Sequence, residues 1–157
     1  MRARWYCTCR PGTTVWLTGA PGPDKKALVC AAAEELEKMH RRVEVLDADG
    51  PCPDRGRTDL DRRLAARRTG RIAQVLAGSG VTVLALVSEP SEEVRAQVRS
   101  WHARIGIAFL EVHVASGAAK APDPPRQAAP DLLIEAHRQS VVSCAGKLRG
   151  LLVEGAA

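Results

Sequence analysis

Aromatic rings are scarce in this chain: three tryptophans, one tyrosine and one phenylalanine amount to 3% of 157 residues. Proteins that hold single-stranded nucleic acid stack its bases on exposed rings, so nucleic acid is not expected as a partner. No apolar run is long enough to cross a bilayer, and the opening MRARWYCTCR has no signal-peptide core. A membrane partner is not expected either. The five cysteines (Cys7, Cys9, Cys30, Cys52 and Cys144) are odd in number, and Cys7-x-Cys9 has no second pair at zinc-ligand spacing. No metal site is read from them, and the expected compartment is the reducing cytoplasm.

What is present is an aliphatic core and a positive charge. Hydrophobic residues make up 45% of the chain, so with so few rings the interior must be Val, Leu, Ile and Ala. The length suits one domain, read as a tail over 1–12 and a single unit over 13–157. The net charge of +5 favours an anionic partner, a small ligand bearing phosphate or sulfate.

Strand and helix patterns alternate. The apolar run at 13–18 reads as a buried strand. Leu28, Ala32, Leu36 and Met39 recur at helical spacing within 24–39. RRVEVLDAD (41–49) is a second strand, and GPCPDRGR (50–57) is a loop by its Gly and Pro. An arginine-rich helix covers 60–76. VTVLALVS (81–88) is a continuous apolar strand, buried on both faces. A helix over 91–104 opens with Ser91 as its cap and Glu92 and Glu93 in its first turn. FLEVHVAS (109–116) is a fourth strand, a Pro/Ala-rich loop covers 117–131, and a short strand covers 132–136. A helix over 139–153 carries Val141, Ala145, Leu148 and Leu152 on one side. The alternation predicts an α/β fold with a parallel sheet of about five strands and helices on both faces. Ligands of such sheets sit at the strands' carboxyl ends, which singles out 18–26, 47–57, 88–91 and 116–131.

At this point several stretches taken together resemble the adenylyl-sulfate (APS) kinase family. They are TTVWLTGAPGPDKKAL, RRVEVLDAD, DRRLAARRTGRIAQVLAGSGVTVL, VSEPSEEVRAQVR, FLEVHVA and PDLLIEAHRQSVVSCAGKLRGLL. The resemblance implies a P-loop kinase-like three-layer fold and a family activity that phosphorylates adenylyl sulfate with ATP and Mg²⁺. Carried over by position, it assigns Gly19, Gly22, Lys25 and Lys26 to the phosphate loop and Asp47 to the catalytic position. Asp49, Arg62, Arg67 and Ser88 go to the substrate anion, with Arg68 also matching. It also implies a homodimer, or pairing with an active relative.

The departures fall on the chemistry. The loop pattern is G-x-x-x-x-G-K-[ST], in which backbone N–H groups cradle phosphate and the hydroxyl serves Mg²⁺. Here Asp24 stands in place of the second glycine, Lys26 replaces the hydroxyl, and Pro21 and Pro23 offer no N–H. Pro23-Asp24-Lys25 reads instead as a turn with Asp24 capping the following helix. Ala48 replaces a glycine, Cys52 an arginine, Ala65 an asparagine and Ser91 a tyrosine. The family's lid motif after FLEVHVA is missing, with GAAKAPDPPRQAAPD in its place.

The expectation is therefore a degenerate member: the scaffold and an anion pocket kept, tight Mg²⁺-dependent ATP binding lost. No cofactor is assigned, and ATP and Mg²⁺ belong only to surviving kinase chemistry. The alternatives are a group-transfer enzyme acting on a small sulfated or nucleotide-like substrate, and residual APS kinase activity. His102 is expected on a helix surface, Arg63 and Arg71 on a solvated helix face, and Cys52 as an ordinary loop cysteine beside Arg55 and Arg57.

Overall fold

TTVWLT has the β-branched and apolar composition of a strand buried on both faces, and it forms the centre of the sheet. In the computed structural model, which describes residues 10–20, 22–50, 56–115 and 129–154, this strand is β1 (Thr13–Thr18). It is followed by α1 (Pro23–Lys38), β2 (Val43–Asp47), α2 (Asp59–Gly78), β3 (Thr82–Leu86), α3 (Glu92–Arg104), β4 (Ala108–Ala115), β5 (Leu132–Glu135) and α4 (Val141–Glu154). All pairings are parallel and the strand order is β2-β3-β1-β4-β5. The chain leaves β1 toward β2, returns through β3, and then crosses to β4. The connections therefore run in opposite senses from β1 and β3, and between these two strands a crevice opens at the carboxyl ends.

Alternation along the strands sorts the core into two layers. Val15, Leu17, Leu84, Val112 and Ile134 meet α1 and α4. Trp16, Val83, Ala85 and Phe109 meet α2 and α3. This is the expected three-layer α/β architecture, and every residue of β3 is buried, as its unbroken apolar run implies. The small residues of α2 allow close helix packing: a Cβ on Gly70 would lie 2.6 Å from a Val98 methyl. Among the described residues no helix is long and apolar enough to cross a membrane.

Two expectations need correction. Asp24 does not cap α1. Gly22 is the N-cap with no side-chain bond, and Pro23 occupies the first helical turn. Proline's fixed φ and missing N–H suit that position, so the helix starts one residue early and Asp24 falls within its first turn, exposed. His102 is not on a helix surface but fully buried. Val94, Val98 and His102 share the face of α3 that meets the sheet, and Thr14 of β1 supplies a polar partner there. The ring's Nδ1–H donates to the Val98 carbonyl (2.9 Å) and its Nε2 accepts from the Thr14 hydroxyl (3.0 Å).

Other boundaries shift by a residue or two. Ser91 caps α3 as expected, accepting from Val94 N–H. α2 begins at a capping box that the sequence reading passed over: Thr58 accepts from Asp61 N–H while the Asp61 carboxylate accepts from Thr58 N–H. On α4, Ala145, Leu148 and Leu152 are buried, whereas Val141 is exposed.

Leu84 is fully buried, while Leu60 on α2 is 64% exposed. Leu84→Ala is expected to lower the unfolding free energy in urea by about 2–5 kcal/mol, and Leu60→Ala to stay within about 0.5 kcal/mol of wild type.

Candidate functional site

The loops after β1, β2 and β3 converge on the crevice. The first begins with Gly19 at φ +119°, where a Cβ would lie 2.2 Å from the Val114 carbonyl oxygen; only glycine fits. The turn of chain that follows brings Lys25 inward from the first turn of α1, and its side chain is 3% exposed. Its ammonium donates to the Gly19 carbonyl (3.2 Å) and the Ser88 hydroxyl (2.8 Å), and lies 3.5 Å from Asp49 Oδ2. Burial pushes the Lys25 pKa below its ordinary value, with the charge and hydrogen bond of Asp49 opposing the shift.

Asp49 also anchors the loop after β3. Its Oδ1 accepts from Ser88 N–H (3.0 Å) and its Oδ2 from the Ser88 hydroxyl (2.6 Å). Asp47, at the end of β2, folds its own loop: Oδ1 accepts from the N–H groups of Asp49 (2.9 Å) and Gly50 (3.1 Å). Its Oδ2 lies 3.0 Å from the ammonium of Lys26, a side chain that is half exposed. Gly19, Lys25, Lys26, Asp47, Asp49 and Ser88 are thus brought together. Gly22 stands at the head of α1 with open space around its Cα.

Next to this cluster, α2 and the β3–α3 turn enclose a cleft of about 140 Å³ whose walls include Arg62, Arg63, Ser88, Glu89 and Ser91. Arg62 lies in the wall and pairs with Asp59 one turn back. Arg67 is not part of that wall; it pairs with Glu93 of α3 at 3.4 Å. Arg63 is exposed at the cleft's rim, and Arg71, also exposed, lies over the Trp101 ring at 3.6 Å. Cys52, Arg55 and residues 117–128 of the segment in place of the lid lie outside the described residues.

Sequence reasoning missed four contributors. Asp59 and Glu93 pair with the two arginines among the substrate-anion candidates, Arg62 and Arg67, and the first pair was legible as i, i+3 on a helix. Glu89 lines the cleft at φ 42°, a left-handed conformation rare for a side-chain-bearing residue. His113 stands beside Thr18, its Nδ1 3.1 Å from the hydroxyl; alternation places it on the same face as Glu111, which two arginines of α3, Arg95 and Arg99, flank at 3.7 and 3.3 Å. Burial, then the charges of Lys25 and Arg95, push the His113 pKa down.

The family model described as Adenylylsulphate kinase matches residues 11–126. A probable adenylyl-sulfate kinase of Aeropyrum pernix is 36% identical over 113 residues, 69% of this chain and 62% of that protein. An adenylyl-sulfate kinase of Synechococcus is 38% identical over 109 residues, 67% of this chain and 60% of that protein. The chain spans 52–62% of the length of the curated relatives it matches. A cysteine-to-alanine mutant of Mycobacterium tuberculosis APS kinase superposes with a TM-score of 0.73 at 31% identity, covering 92% of this chain and 99% of that one. A second structure of that enzyme, in complex with AMPPNP and APS, gives 0.73 at 26% identity, covering 91% and 98%.

Removing the charge of Asp49 leaves a buried ammonium without its carboxylate. Asp49→Asn is expected to cost about 1–3 kcal/mol in urea unfolding. His102, buried, and His113, half-buried, set a pH dependence. Burial lowers the folded pKa of both His102 and His113 below the ordinary 6.5. As pH falls below 6.5 the unfolded chain binds protons that the native state refuses, so stability is full above 6.5 and declines below it. Melting curves across pH 5–8 should show that decline in the wild type and a shallower slope in His102→Gln.

Proposed function

Because the chain belongs to the adenylylsulphate kinase family, we propose that it keeps the family scaffold as a binding site for a small phosphate- or sulfate-bearing ligand and does not phosphorylate adenylyl sulfate with ATP. One observation carries this reading. The Lys25 ammonium has three N–H donors, and Gly19, Ser88 and Asp49 engage them from within the protein. A triphosphate must break these contacts, and it meets Asp24 where the loop pattern has a glycine. Two like charges ~4 Å apart cost about 4 kcal/mol at an effective dielectric near 20. The phosphate loop's remaining cation, Lys26, is turned to Asp47. Ligand binding then falls to the adjoining cleft, where Arg62 and Arg63 face an anion-sized space and arginine suits phosphate or sulfate oxygens. A homodimer in the cytoplasm belongs to the same proposal.

A second reading is residual adenylyl-sulfate kinase activity. It is favoured by the way Lys25, Asp47 and Asp49 stand together at the switch-point crevice, where nucleotide phosphates bind in folds of this type.

Calorimetric titration of ATP with Mg²⁺ and a coupled assay with ATP and APS separate the two readings. No micromolar ATP binding and no product at high enzyme concentration are expected. APS, PAPS or sulfate should raise the melting temperature, and Arg62→Ala should remove most of that shift. Turnover in the coupled assay, or micromolar binding of ATP with Mg²⁺, would overturn the proposal.

A further inference from the structure

In the G-x-x-x-x-G-K-[ST] pattern the residue after the lysine places a hydroxyl on a divalent metal. That position is Lys26, and its side chain has no oxygen to give. Its ammonium instead lies 3.0 Å from Asp47 Oδ2. The other carboxylate oxygen of Asp47 is already committed to the backbone N–H groups of Asp49 and Gly50. Asp49 is likewise held by Ser88 and Lys25. Among the described residues no three His, Cys, Asp or Glu side chains come together in a way that could hold a metal ion. The residues present therefore do not fit Mg²⁺.

They do fit an internal cation. A lysine ammonium is a compact point charge on a flexible four-carbon stem, and this one, half exposed, reaches the Asp47 carboxylate that a divalent metal would otherwise take. We propose that the Lys26 ammonium is a built-in counter-cation that occupies Asp47 in place of the divalent metal, so that the adjoining cleft takes its phosphate or sulfate ligand metal-free. The ligand part of this statement rests on the anion-binding reading above; the metal part stands on the Lys26–Asp47 pair alone.

Titration of the full chain with Mn²⁺, followed by electron paramagnetic resonance, tests the metal part. Wild type is expected to show no Mn²⁺ site that depends on Asp47. Lys26→Ser and Lys26→Thr remove the competing charge and add a hydroxyl, so each should bind Mn²⁺ at least about tenfold more tightly than wild type. Adding Asp47→Asn to either should abolish the gain. Asp47-dependent Mn²⁺ binding by wild type, or no gain in either Lys26 variant, would overturn the role of the ammonium. Sulfate added against chloride at matched ionic strength tests the ligand part. The thermal shift should be equal in EDTA and in Mg²⁺, and a shift that needs Mg²⁺ would overturn metal-free binding. No shift in either buffer would sink the anion-binding reading, while the Mn²⁺ comparison still decides what Lys26 does.

Discussion

A lysine side chain that is only 3% exposed must be given partners by the fold, and the partners given to Lys25 organise the whole carboxyl end of the sheet. Gly19 belongs to the loop after β1, Asp49 to the loop after β2 and Ser88 to the loop after β3. One ammonium thus ties together three loops that are distant in sequence. Losing any partner leaves a desolvated charge or hydroxyl, which costs more than the bond itself contributes. The positive φ of Gly19 and the start of α1 at Pro23 serve the same arrangement, since both lie in the segment that leads to Lys25.

The wider charge arrangement repeats this local solution. Four cations around the crevice each face a carboxylate of the same chain: Lys25 with Asp49, Lys26 with Asp47, Arg62 with Asp59, Arg67 with Glu93. Much of the basic charge around the crevice is thus already matched by carboxylates. An anion that binds there must compete with carboxylates, and its advantage comes from contacting several cations at once. The exposed pairs are individually weak in water, of order 1 kcal/mol or less, so they yield to a well-placed oxyanion. The buried Lys25 does not yield so easily. That difference in depth separates the cleft beside Arg62 and Arg63 from the phosphate loop as a place for a ligand.

The layering was legible in the sequence because it depends on periodicity. The continuous apolar run of β3, the alternation in β4 and the helical recurrence of Leu28, Ala32 and Leu36 each name the face that is buried. Which residues share the crevice was also legible, since Lys25, Asp47, Asp49 and Ser88 follow successive strands of a parallel sheet. What the sequence did not disclose is how those residues satisfy one another. His102 looked like a surface residue because the polar partner that lets it enter the core, Thr14, lies 88 positions away. Asp24 looked like a cap because aspartate favours caps, but the proline before it is better suited to the first helical position and moved the helix start. Glu93 and Arg67 are 26 residues apart and meet only because α2 and α3 pack together. Pairings of this kind are set by tertiary placement, which pattern reading does not see.

The substitution at position 26 has consequences that a list of missing motif residues understates. Losing the hydroxyl alone would leave Asp47 as an open carboxylate at the mouth of the crevice, still attractive to a divalent ion. Placing an ammonium there adds a positive charge to the first turn of α1 and occupies the carboxylate in the same step. Asp24, in the first turn of the same helix, returns a negative charge near the N–H groups, where a helix favours anions. The net charge of the loop is therefore much the same as in an ordinary phosphate loop bearing one lysine, but its distribution differs: an anion already sits at the helix start, and a second cation sits where metal would be. A loop with that distribution turns away a metal-bridged polyphosphate, which requires both the vacant helix start and the metal, and leaves a singly placed oxyanion to the cleft beside Arg62 and Arg63.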